Sequence, residues 1–458
     1  MSLLGKSPKP FLSVAALCAA AFAICWALGA APKTGFLLAG AFFFFSFACP
    51  KIEKLRSLTY TMLILGLVCV AMFYPGPLLG WGSIRFAKFI PYLLMVIMFG
   101  VGSQMSLDEF KGVVKMPKAV CLGIVCHYTV MPLLGFTLSR LVAFDGGQIA
   151  TAMGLAQAGQ IDPDRAVALS GAISAGIVLI GCSPSGLASN VMCFLAKGNL
   201  ALSVTIAAFS TLCAPFFMPV LMKLLTAGDT LVTVSISDMM HEVIRMLIYP
   251  IMAGLLFNAV ATMKPRQKTL REAALFLMVI LVLQVAVGLA RGHGWGDIAL
   301  GTLITIGIVH VAAPLGGFVV RLLTKGNAET VKKAMAFFSM AAICTILTVI
   351  TAANRESLLQ IGLLMILIMF VHNIGGYTLG YWSARLIGLD ERSCRTMAFE
   401  VGQQNGGLAN GLAASLPLEA SIRALMGIAP AVFGAMQNIT GSALATWWRG
   451  RPIRDEQV

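Results

Sequence analysis

The chain has 458 residues, of which 58% are hydrophobic and only 11% charged, and its mean hydropathy is +0.88. Because soluble domains carry about 25% charged residues, these values exclude a soluble globular protein and predict an all-α polytopic membrane protein. The net charge of +14 would suggest nucleic-acid binding in a soluble protein. In a membrane protein, the distribution of that charge reports instead which loops face the cytoplasm.

Fourteen apolar segments are predicted to span the membrane when the chain is read in windows of about 19 residues. They are 11–31, 35–49, 58–74, 88–105, 116–141, 168–195, 199–225, 243–262, 272–290, 298–320, 334–353, 358–384, 396–415 and 424–447. With a cytoplasmic N-terminus, this order places 23 of the 33 lysines and arginines on the cytoplasmic side, as the positive-inside rule requires. The sequence therefore predicts a protein of the plasma membrane (the inner membrane in a bacterium) with both termini cytoplasmic.

Some segments leave alternatives open. Residues 1–31 place Lys6 and Lys9 before an apolar run that ends in small residues, so a cleaved signal peptide is the alternative to a first span. Segment 142–167 has mixed polarity and is either a re-entrant piece or an external loop. The eleven cysteines lie almost entirely within or beside apolar segments and form no CxxC pattern. They are predicted to behave as small hydrophobes.

Two stretches in the middle of the chain resemble each other. Ile244–Gly288 and Ile306–Ala352 each contain an apolar span with a proline, a basic loop and a second apolar span. This repetition predicts a duplicated hairpin and two halves of opposite orientation, an inverted repeat typical of secondary transporters. The predicted division is an extra N-terminal hairpin, a first half of the transporter core, and a second half that contains an extra hairpin (243–290 or 298–353). These parts cover residues 1–57, 58–230 and 231–458.

Glu400 is the only acidic side chain well inside a hydrophobic segment. A carboxylate at membrane depth costs about 2.5–3.5 kcal/mol on insertion scales, so it persists only when it is paired, solvated or coordinated. Two glutamines, two asparagines and four glycines follow it within residues 401–411, which indicates a broken helix with exposed oxygens. The alternative is a glycine-rich helix that packs closely on a neighbour, with Glu400 paired to an arginine.

A second broken helix is predicted at residues 181–190, where Pro184 lies between Gly181 and Gly186. Proline removes a backbone donor, and irregular backbone at membrane depth requires protein or water to satisfy it. Two broken helices in corresponding positions of two halves indicate a transport site. Half-helix N-termini favour an anion, whereas carbonyl and carboxylate oxygens favour a hard cation.

The two broken segments resemble the bile acid:sodium symporter family in their motifs, Gly-Cys-x-Pro-x-Gly-x-Ala-Ser-Asn-Val at 181–191 and Glu-Val-Gly-x-Gln-Asn-x-Gly-Leu at 400–408. Shorter supporting stretches lie at 98–102, 116–120, 131–133, 195–204, 372–376 and 437–441. The resemblance covers most of 58–262 and 334–447. It implies a ten-span core in which two broken helices cross near the midplane, with sodium ions behind the crossing and an organic anion in front.

The resemblance also implies two sodium sites that share Glu400. The first would use Ser189, Asn190, Ser203 and Glu400, and the second Glu400, the carbonyls of Val401 and Gln403, and the side chain of Gln404. The chain departs from the family pattern at Ala207, which replaces a usual threonine, and at His127, which replaces a usual glutamine. Either carbonyls or water replace the lost oxygens, or the coupling is altered to one sodium or to a proton carried by His127 or Glu400.

The anion is predicted to bind near Asn405, Gln437 and Asn438 and the half-helix N–H groups at 185–190 and 404–408. The alternative for Gln437 and Asn438 is hydrogen bonding between helices. Because Leu187 replaces a residue that is often small and polar, the resemblance leaves the substrate open between a bile-acid or steroid-conjugate type and a pantoate type. His310 and His372 are predicted to be structural.

The sequence therefore predicts a secondary active transporter of a small organic anion that uses sodium as the coupling ion and no other cofactor. The alternatives are a proton-coupled or uncoupled transporter of the same fold and a non-transporting membrane sensor. A membrane enzyme would need a nucleophile–base set or metal-binding carboxylates, and the spacing of histidines, cysteines and acidic residues supplies neither. The prediction is that the protein is not an enzyme.

Overall fold

The computed structural model describes residues 7–29, 31–52, 55, 58–105, 116–141, 144–152, 162–186, 188–227, 235–262, 266–292 and 294–453. Within these residues, ten helices are long and apolar enough to cross a membrane, and two shorter apolar helices lie at Thr61–Phe73 and Phe86–Gly102. The protein is therefore a helical integral membrane protein. Each of the fourteen predicted spans contains helix, but the number of spans stays a prediction.

The helices before residue 226 run in the following order: α1 (Lys9–Ala27), α2 (Ala31–Ala48), α3 (Thr59–Phe73), α4 (Gly76–Leu79), α5 (Ile90–Gly102), α6 (Pro117–Leu141), α7 (Gly146–Ala152), α8 (Pro163–Cys182), α9 (Ala188–Leu195) and α10 (Leu200–Leu225). A small antiparallel hairpin, β1 (Gly80–Trp81) and β2 (Ile84–Arg85), follows α4. Single 3₁₀ turns lie at Cys49–Lys51 and Phe86–Phe89.

The later helices are α11 (Ile236–Val243), α12 (Tyr249–Ala261), α13 (Arg266–Ala290), α14 (Trp295–Ile306), α15 (Ala313–Thr324), α16 (Ala328–Ala353), α17 (Arg355–Leu386), α18 (Glu391–Gly402), α19 (Gly406–Ser415), α20 (Ala420–Met426) and α21 (Ile428–Arg449). The helix pair α8 and α9 and the pair α18 and α19 are each separated by a short non-helical break. Both breaks fall where the sequence predicts them.

The helices pack in two groups that meet at the breaks. In one group, α1 packs on α2, α2 on α3, α3 on α16, and α5 on α12 and α16. In the other, α6, α8, α17, α18, α20 and α21 pack among themselves, and α10 packs on α6. The helix α19 contacts both groups through α5 and α21. The breaks therefore lie between two packed bundles, where movement of one bundle against the other would change their geometry.

The two similar stretches in the middle of the chain share an unusual local structure. A π-helical turn at Ile244–Ile248 precedes α12, and another at Gly307–Ala312 precedes α15. Each of these helices carries a proline at its second position, Pro250 and Pro314. Because proline has no N–H to continue the i→i−4 ladder, a local shift in the hydrogen-bond register is expected there. The shared turn supports the duplicated hairpin, whereas the inverted repeat stays a prediction.

Several boundaries differ from the sequence-based ones. The helix α8 begins at Pro163 and α18 at Glu391, each five residues before the predicted span. Segment 142–167 contains α7 and the start of α8, while residues 142–143 and 153–161 lie outside the described part. Arg395 precedes the predicted span 396–415 by one residue, which places it in a loop, but it lies inside α18 and is only 1% exposed. In α18 the polar residues that precede the apolar run, Glu391 and Arg395, are buried, whereas Asp164 and Arg165 in the first turn of α8 are exposed.

Candidate functional site

The two breaks cross and hydrogen-bond to each other. Ser185 and Gln404 form an antiparallel bridge, Gly186 N–H donates to the Gln403 carbonyl at 3.2 Å, and Asn405 N–H donates to the Pro184 carbonyl at 2.8 Å. Each break thus supplies the backbone partners that the other lacks. This arrangement meets the requirement that irregular backbone at membrane depth be satisfied by protein.

Local sequence explains why the chain can approach itself so closely. A Cβ atom on Gly186 would lie 2.7 Å from the Gln404 carbonyl oxygen, so only glycine permits this contact. After the second break, the Asn405 side chain caps α19 by accepting a hydrogen bond from Leu408 N–H at 3.0 Å, as asparagine commonly does at a helix start. The crossing is therefore specified by residues at the breaks themselves.

Glu400 lies in the last turn of α18, fully buried behind the crossing. Ser185 Oγ donates to its Oε2 at 2.6 Å, and Ser203 Oγ on α10 lies 2.5 Å from its Oε1. Ser203 Oγ also lies 2.7 Å from Asn190 Oδ1, and Ser189 Oγ lies 3.2 Å from Ser185 Oγ. The four residues predicted for the first cation site thus come together from three helices, and Ser185 joins them.

The hydrogen bonds found for the Glu400 carboxylate among the described residues all come from oxygen atoms, and none of the ion pairs found there involves Glu400. The alternative of a glutamate paired to an arginine is therefore not supported. An unpaired buried carboxylate is costly, whereas a carboxylate with several hydroxyl and amide oxygens is a suitable ligand set for a hard cation. We call Ser185, Ser189, Asn190, Ser203 and Glu400 the carboxylate cluster.

His127, from α6, lies on the other side of the Glu400 backbone and is fully buried. Its Nδ1 lies 2.9 Å from the Glu400 carbonyl oxygen, and its Nε2 lies 2.7 Å from the Ser183 carbonyl oxygen. Both ring nitrogens are thus occupied by backbone carbonyls. His127 stands where the resemblance expects a ligand for the second sodium. Here it links the backbone at Glu400 to the backbone at Ser183.

The remaining residues predicted for the second cation site are near one another but largely engaged. The Val401 carbonyl accepts from Gln404 Nε2 at 2.9 Å, and the Gln403 carbonyl accepts from Gly186 N–H. Gln403 Nε2 donates to the Tyr377 hydroxyl at 3.2 Å. Two side-chain oxygens, Gln403 Oε1 and Gln404 Oε1, are buried without a partner within the described residues. The site therefore has fewer free oxygens than the sequence suggests.

The three residues predicted for the anion have different roles. Gln437 accepts from Gln404 N–H at 2.8 Å and donates to the Gln404 carbonyl at 3.0 Å, so it fixes the backbone of the second break. Asn438 Nδ2 donates to Gly434 within α21 at 2.7 Å, and Asn405 caps α19. Hydrogen bonding to another segment, which the sequence left as an alternative for Gln437 and Asn438, is seen for Gln437, whereas Asn438 bonds within its own helix.

These three residues nevertheless line one cavity of about 90 Å³ in front of the crossing. Its other polar walls are formed by Gln404 and Asn410, and its apolar wall by Ile97 of α5 and by Ile343, Ile346 and Leu347 of α16. Gly186, Ala188, Gly406, Gly407 and Gly434 complete the lining. Leu187, beside this cavity in sequence, lies outside the described residues. Amides on one bundle thus face aliphatic side chains of the other.

Sequence reasoning missed three buried polar groups. Ser185 stands inside the quoted motif, next to Pro184, and that position was the available signal. Arg395 bonds Glu391 Oε1 at 3.0 Å and the carbonyls of Ala196 and Trp448 at 3.0 and 3.1 Å, and its spacing of four residues from Glu391 could have indicated the pair. Asn410 is one of the two asparagines counted after Glu400, but the sequence gave it no role of its own.

Buried His372 and half-buried His310 each bond another part of the protein, as the sequence predicts. His372 Nε2 lies 2.9 Å from the Met131 carbonyl oxygen, and His310 Nε2 lies 2.9 Å from the Ala273 carbonyl oxygen. Each contact joins two different helices. Neither residue lines the cavity or belongs to the carboxylate cluster.

Comparison with known proteins finds a match between residues 91–294 and the model of the sodium bile acid symporter family. The "Uncharacterized sodium-dependent transporter YocS" of Bacillus subtilis (strain 168) is 28% identical over 408 residues, 89% of this chain and 96% of the relative. The "Probable sodium/metabolite cotransporter BASS1, chloroplastic" of Oryza sativa subsp. japonica is 26% identical over 89% of this chain and 76% of its own length. The "Ileal sodium/bile acid cotransporter" of Homo sapiens is 26% identical over 70% of this chain and 68% of its own length.

Proposed function

We propose that this chain, which belongs to the sodium bile acid symporter family, is a secondary active transporter that moves a small organic anion together with sodium. The observation that carries this proposal is the carboxylate cluster, in which the fully buried carboxylate of Glu400 is hydrogen-bonded by hydroxyl oxygens and has no ion-pair partner among the described residues. A sodium ion would neutralise the carboxylate and use the surrounding oxygens. The names of the relatives, which include sodium-dependent transporters, support the same ion.

The carboxylate cluster is proposed as the principal sodium site. Ser185, Ser189 and Ser203 can rotate their hydroxyl protons away from a bound cation, and Asn190 adds an amide oxygen. Ser185 supplies one oxygen in the neighbourhood where Ala207 removes another. Although alanine replaces the usual threonine, enough oxygens for a cation therefore remain.

One sodium ion rather than two fits the contacts of His127. A hard cation lies about 2.4 Å from each oxygen ligand, so two ligands at right angles around it are separated by about 3.4 Å. The two contacts of His127 with carbonyl oxygens, at 2.9 and 2.7 Å, are too short for an ion between them. We therefore propose that the coupling uses the carboxylate cluster and that the second site of the resemblance is closed in this chain.

The anion is proposed to bind in the 90 Å³ cavity, with its charge at the N-terminus of α19. Cation and anion would be coupled through the first break, because Ser185 contacts Glu400 while the adjacent Gly186 lines the cavity. An ion that holds Ser185 in place also fixes this wall of the cavity. Each ligand would then raise the affinity of the other, since coupling between two sites is reciprocal.

Sodium-driven uptake into proteoliposomes tests the proposal, after a thermal-unfolding screen of small organic anions with and without sodium identifies a ligand. An inward sodium gradient should drive uptake of the labelled anion, and the variant Glu400→Gln should lose that stimulation. Uptake driven by a proton gradient without sodium would favour proton coupling instead. Binding without counterflow exchange of labelled anion would indicate a non-transporting sensor, the remaining alternative.

The orientation is part of the same proposal: both termini in the cytoplasm of a plasma membrane. Cysteine accessibility would test it, because a membrane-impermeant maleimide added outside should not label a cysteine placed at position 451. Labelling from outside in intact cells would contradict the orientation.

A further inference from the structure

The three helices that supply the carboxylate cluster meet a second time at Thr396. This residue lies on α18 and is fully buried. Its hydroxyl oxygen accepts from Asn199 N–H, at the start of α10, at 2.8 Å. Cys193 Sγ, near the end of α9, lies 3.2 Å from the same oxygen. One hydroxyl group on α18 therefore contacts both of the other helices, α9 and α10.

The register of these contacts matches that of the carboxylate cluster. Each of the three residues lies four positions along the chain from a member of the cluster: Cys193 from Ser189, Asn199 from Ser203, and Thr396 from Glu400. Residues four apart lie on one face of a helix, about 6 Å apart along its axis. Cys193, Asn199 and Thr396, which we call the threonine layer, thus lie one turn from the cluster and join the same three helices.

Asn199 connects the threonine layer to Ser203. Its backbone carbonyl accepts from Ser203 N–H at 3.0 Å, and its Oδ1 accepts from Leu202 N–H at 3.1 Å. These bonds begin α10 in the manner of an asparagine N-cap. Ser203 Oγ in turn lies 2.5 Å from Glu400 Oε1. A displacement of Asn199 from Thr396 would therefore move the first turn of α10 and, with it, the hydroxyl that contacts the carboxylate.

The loop between α9 and α10 has little room to move against the threonine layer. A Cβ atom on Gly198 would lie 2.7 Å from Cys193 Sγ and 2.9 Å from Thr396 Oγ1. Lys197 adopts a left-handed backbone with a φ of 59°, which costs about 1–2 kcal/mol for a residue with a side chain. Strained backbone of this kind persists only where surrounding contacts hold it. Thr396 holds one end of the loop, and Arg395 bonds the carbonyl at the other end at 3.0 Å.

The helix spacing fixed in this way bears directly on a bound cation. A hard cation holds its oxygen ligands at about 2.4 Å, and a binding site needs its groups within about 0.5 Å of the productive geometry. Ser189 and Ser203 lie on different helices from Glu400. Their distances to the carboxylate therefore depend on how α9, α10 and α18 are spaced, and the threonine layer sets that spacing one turn away.

We propose that Thr396 is a positioning residue for sodium, whose hydroxyl sets the spacing of α9, α10 and α18 at the carboxylate cluster without binding the ion. This inference rests on the proposed function and extends it to a residue outside the ligand set. Loss of the hydroxyl leaves the Asn199 N–H without its acceptor, so the start of α10 can shift relative to Glu400. The cluster then keeps all its oxygens but holds them less rigidly, and both its affinity for sodium and its selectivity among cations fall.

Thermal unfolding of the purified full-length protein tests this proposal, with sodium chloride replacing potassium chloride at constant ionic strength. Thr396→Val has nearly the same volume and removes the hydroxyl. We expect it to raise the apparent sodium dissociation constant about tenfold, the contribution of one buried hydrogen bond. Thr396→Ser keeps the hydroxyl and should bind sodium within about twofold of the wild type.

The selectivity between lithium and sodium is the readout that a general loss of stability would not change. Lithium is the smaller ion, so it needs the oxygens closer together and loses more affinity when the helices separate. We expect the ratio of the lithium to the sodium dissociation constant to rise about threefold in Thr396→Val and to keep the wild-type value in Thr396→Ser. Cys193→Ala removes one contact of the threonine layer and is a milder second variant, which should raise the sodium dissociation constant about twofold.

A matched control and the variant of the ligand itself separate this inference from the proposed function. The control is Thr302→Val in α14, the same replacement at a buried threonine whose hydroxyl bonds its own helix, and it should keep the wild-type constants. An unchanged sodium dissociation constant in Thr396→Val overturns the proposal, and so does an equal loss in Thr396→Ser or in Thr302→Val. If lithium gives no stabilisation, these sodium constants alone decide. If Glu400→Gln loses sodium while Thr396→Val does not, the sodium site stands and only the positioning role fails; if Glu400→Gln responds to sodium like the wild type, the proposed site is wrong and the positioning role falls with it.

Discussion

Replacing Glu400 with glutamine should abolish sodium binding while leaving the fold intact. The carboxylate accepts from Ser185 and contacts Ser203, and a glutamine retains one oxygen acceptor. Ser203 keeps a second acceptor in Asn190 Oδ1, 2.7 Å away. Because a neutral amide is also cheaper to bury than an unpaired carboxylate, we expect the free energy of unfolding without sodium to change by less than about 1 kcal/mol or to rise.

The expected effect on sodium is much larger. At a contact distance of about 2.4 Å and an effective dielectric constant of about 20, a carboxylate and a monovalent cation attract by about 7 kcal/mol. The amide oxygen of glutamine provides part of that interaction. A net loss of about 4 kcal/mol weakens the dissociation constant about a thousandfold. Sodium at a hundred times the wild-type dissociation constant, which stabilises the wild type by about 2.7 kcal/mol, should then leave the variant unaffected.

The assay is thermal unfolding of the purified protein as sodium chloride replaces potassium chloride at constant ionic strength. A matched control is Glu391→Gln on the same helix, where Glu391 is 5% exposed and paired with Arg395 at 3.0 Å. Leaving Arg395 buried without a counter-charge should destabilise the fold by about 3–5 kcal/mol but preserve the sodium-induced shift. A wild-type sodium shift in Glu400→Gln would refute the assignment of the carboxylate cluster.

Three further substitutions test the crossing and its surroundings. Gly186→Ala should destabilise the protein by about 1–3 kcal/mol and impair uptake, because its Cβ would lie 2.7 Å from the Gln404 carbonyl oxygen. The control is Gly296→Ala, whose Cβ would have no atom within 4 Å. Equal unfolding temperatures of the two variants would contradict the close approach. Arg395→Met should lower the free energy of unfolding by about 3–5 kcal/mol because Glu391 loses its counter-charge. Adding Glu391→Gln should restore part of that loss, and simply additive losses in unfolding experiments would argue against the pair. His127→Gln should free the carbonyl oxygens of Glu400 and Ser183 and add an amide oxygen. The Hill coefficient for sodium-stimulated uptake should then rise from about one toward two. An unchanged coefficient would count against a second site closed by the imidazole.

Much of the organisation was predictable from sequence because it depends on composition and on local residue types. The apolar runs, the proline and glycines near residue 184, and the glycines after Glu400 predicted the spans and both breaks. The family resemblance carried by the two motifs is confirmed by the family-model match and the relatives. The grouping of Ser189, Asn190 and Ser203 around Glu400 follows the resemblance, and their role as sodium ligands remains a proposal.

The limits of sequence reasoning are seen at helix ends and in amide partners. Composition predicts that α18 begins at the edge of its apolar run. The helix begins earlier, at Glu391, because Arg395 and Glu391 pair with each other in a buried position. For Gln437 the sequence predicts substrate binding or, as the alternative, hydrogen bonding between helices; the residue lines the cavity and bonds the backbone of Gln404, and its role toward a substrate stays a prediction. The sequence does not show which of several nearby amides is already satisfied, so Asn410 received no role from it.

The sequence by itself determined that this is a polytopic helical membrane protein with a buried glutamate beside a broken helix, because hydrophobic runs, glycines and prolines act locally. Only the tertiary structure decided what meets that glutamate. Ser185 reaches it across 215 residues of chain, and His127 contacts its carbonyl across 273. Such contacts depend on how the bundles pack. That packing places Glu400 among hydroxyls, puts His127 between two backbone carbonyls, and leaves the Asn410 amide without a partner among the described residues.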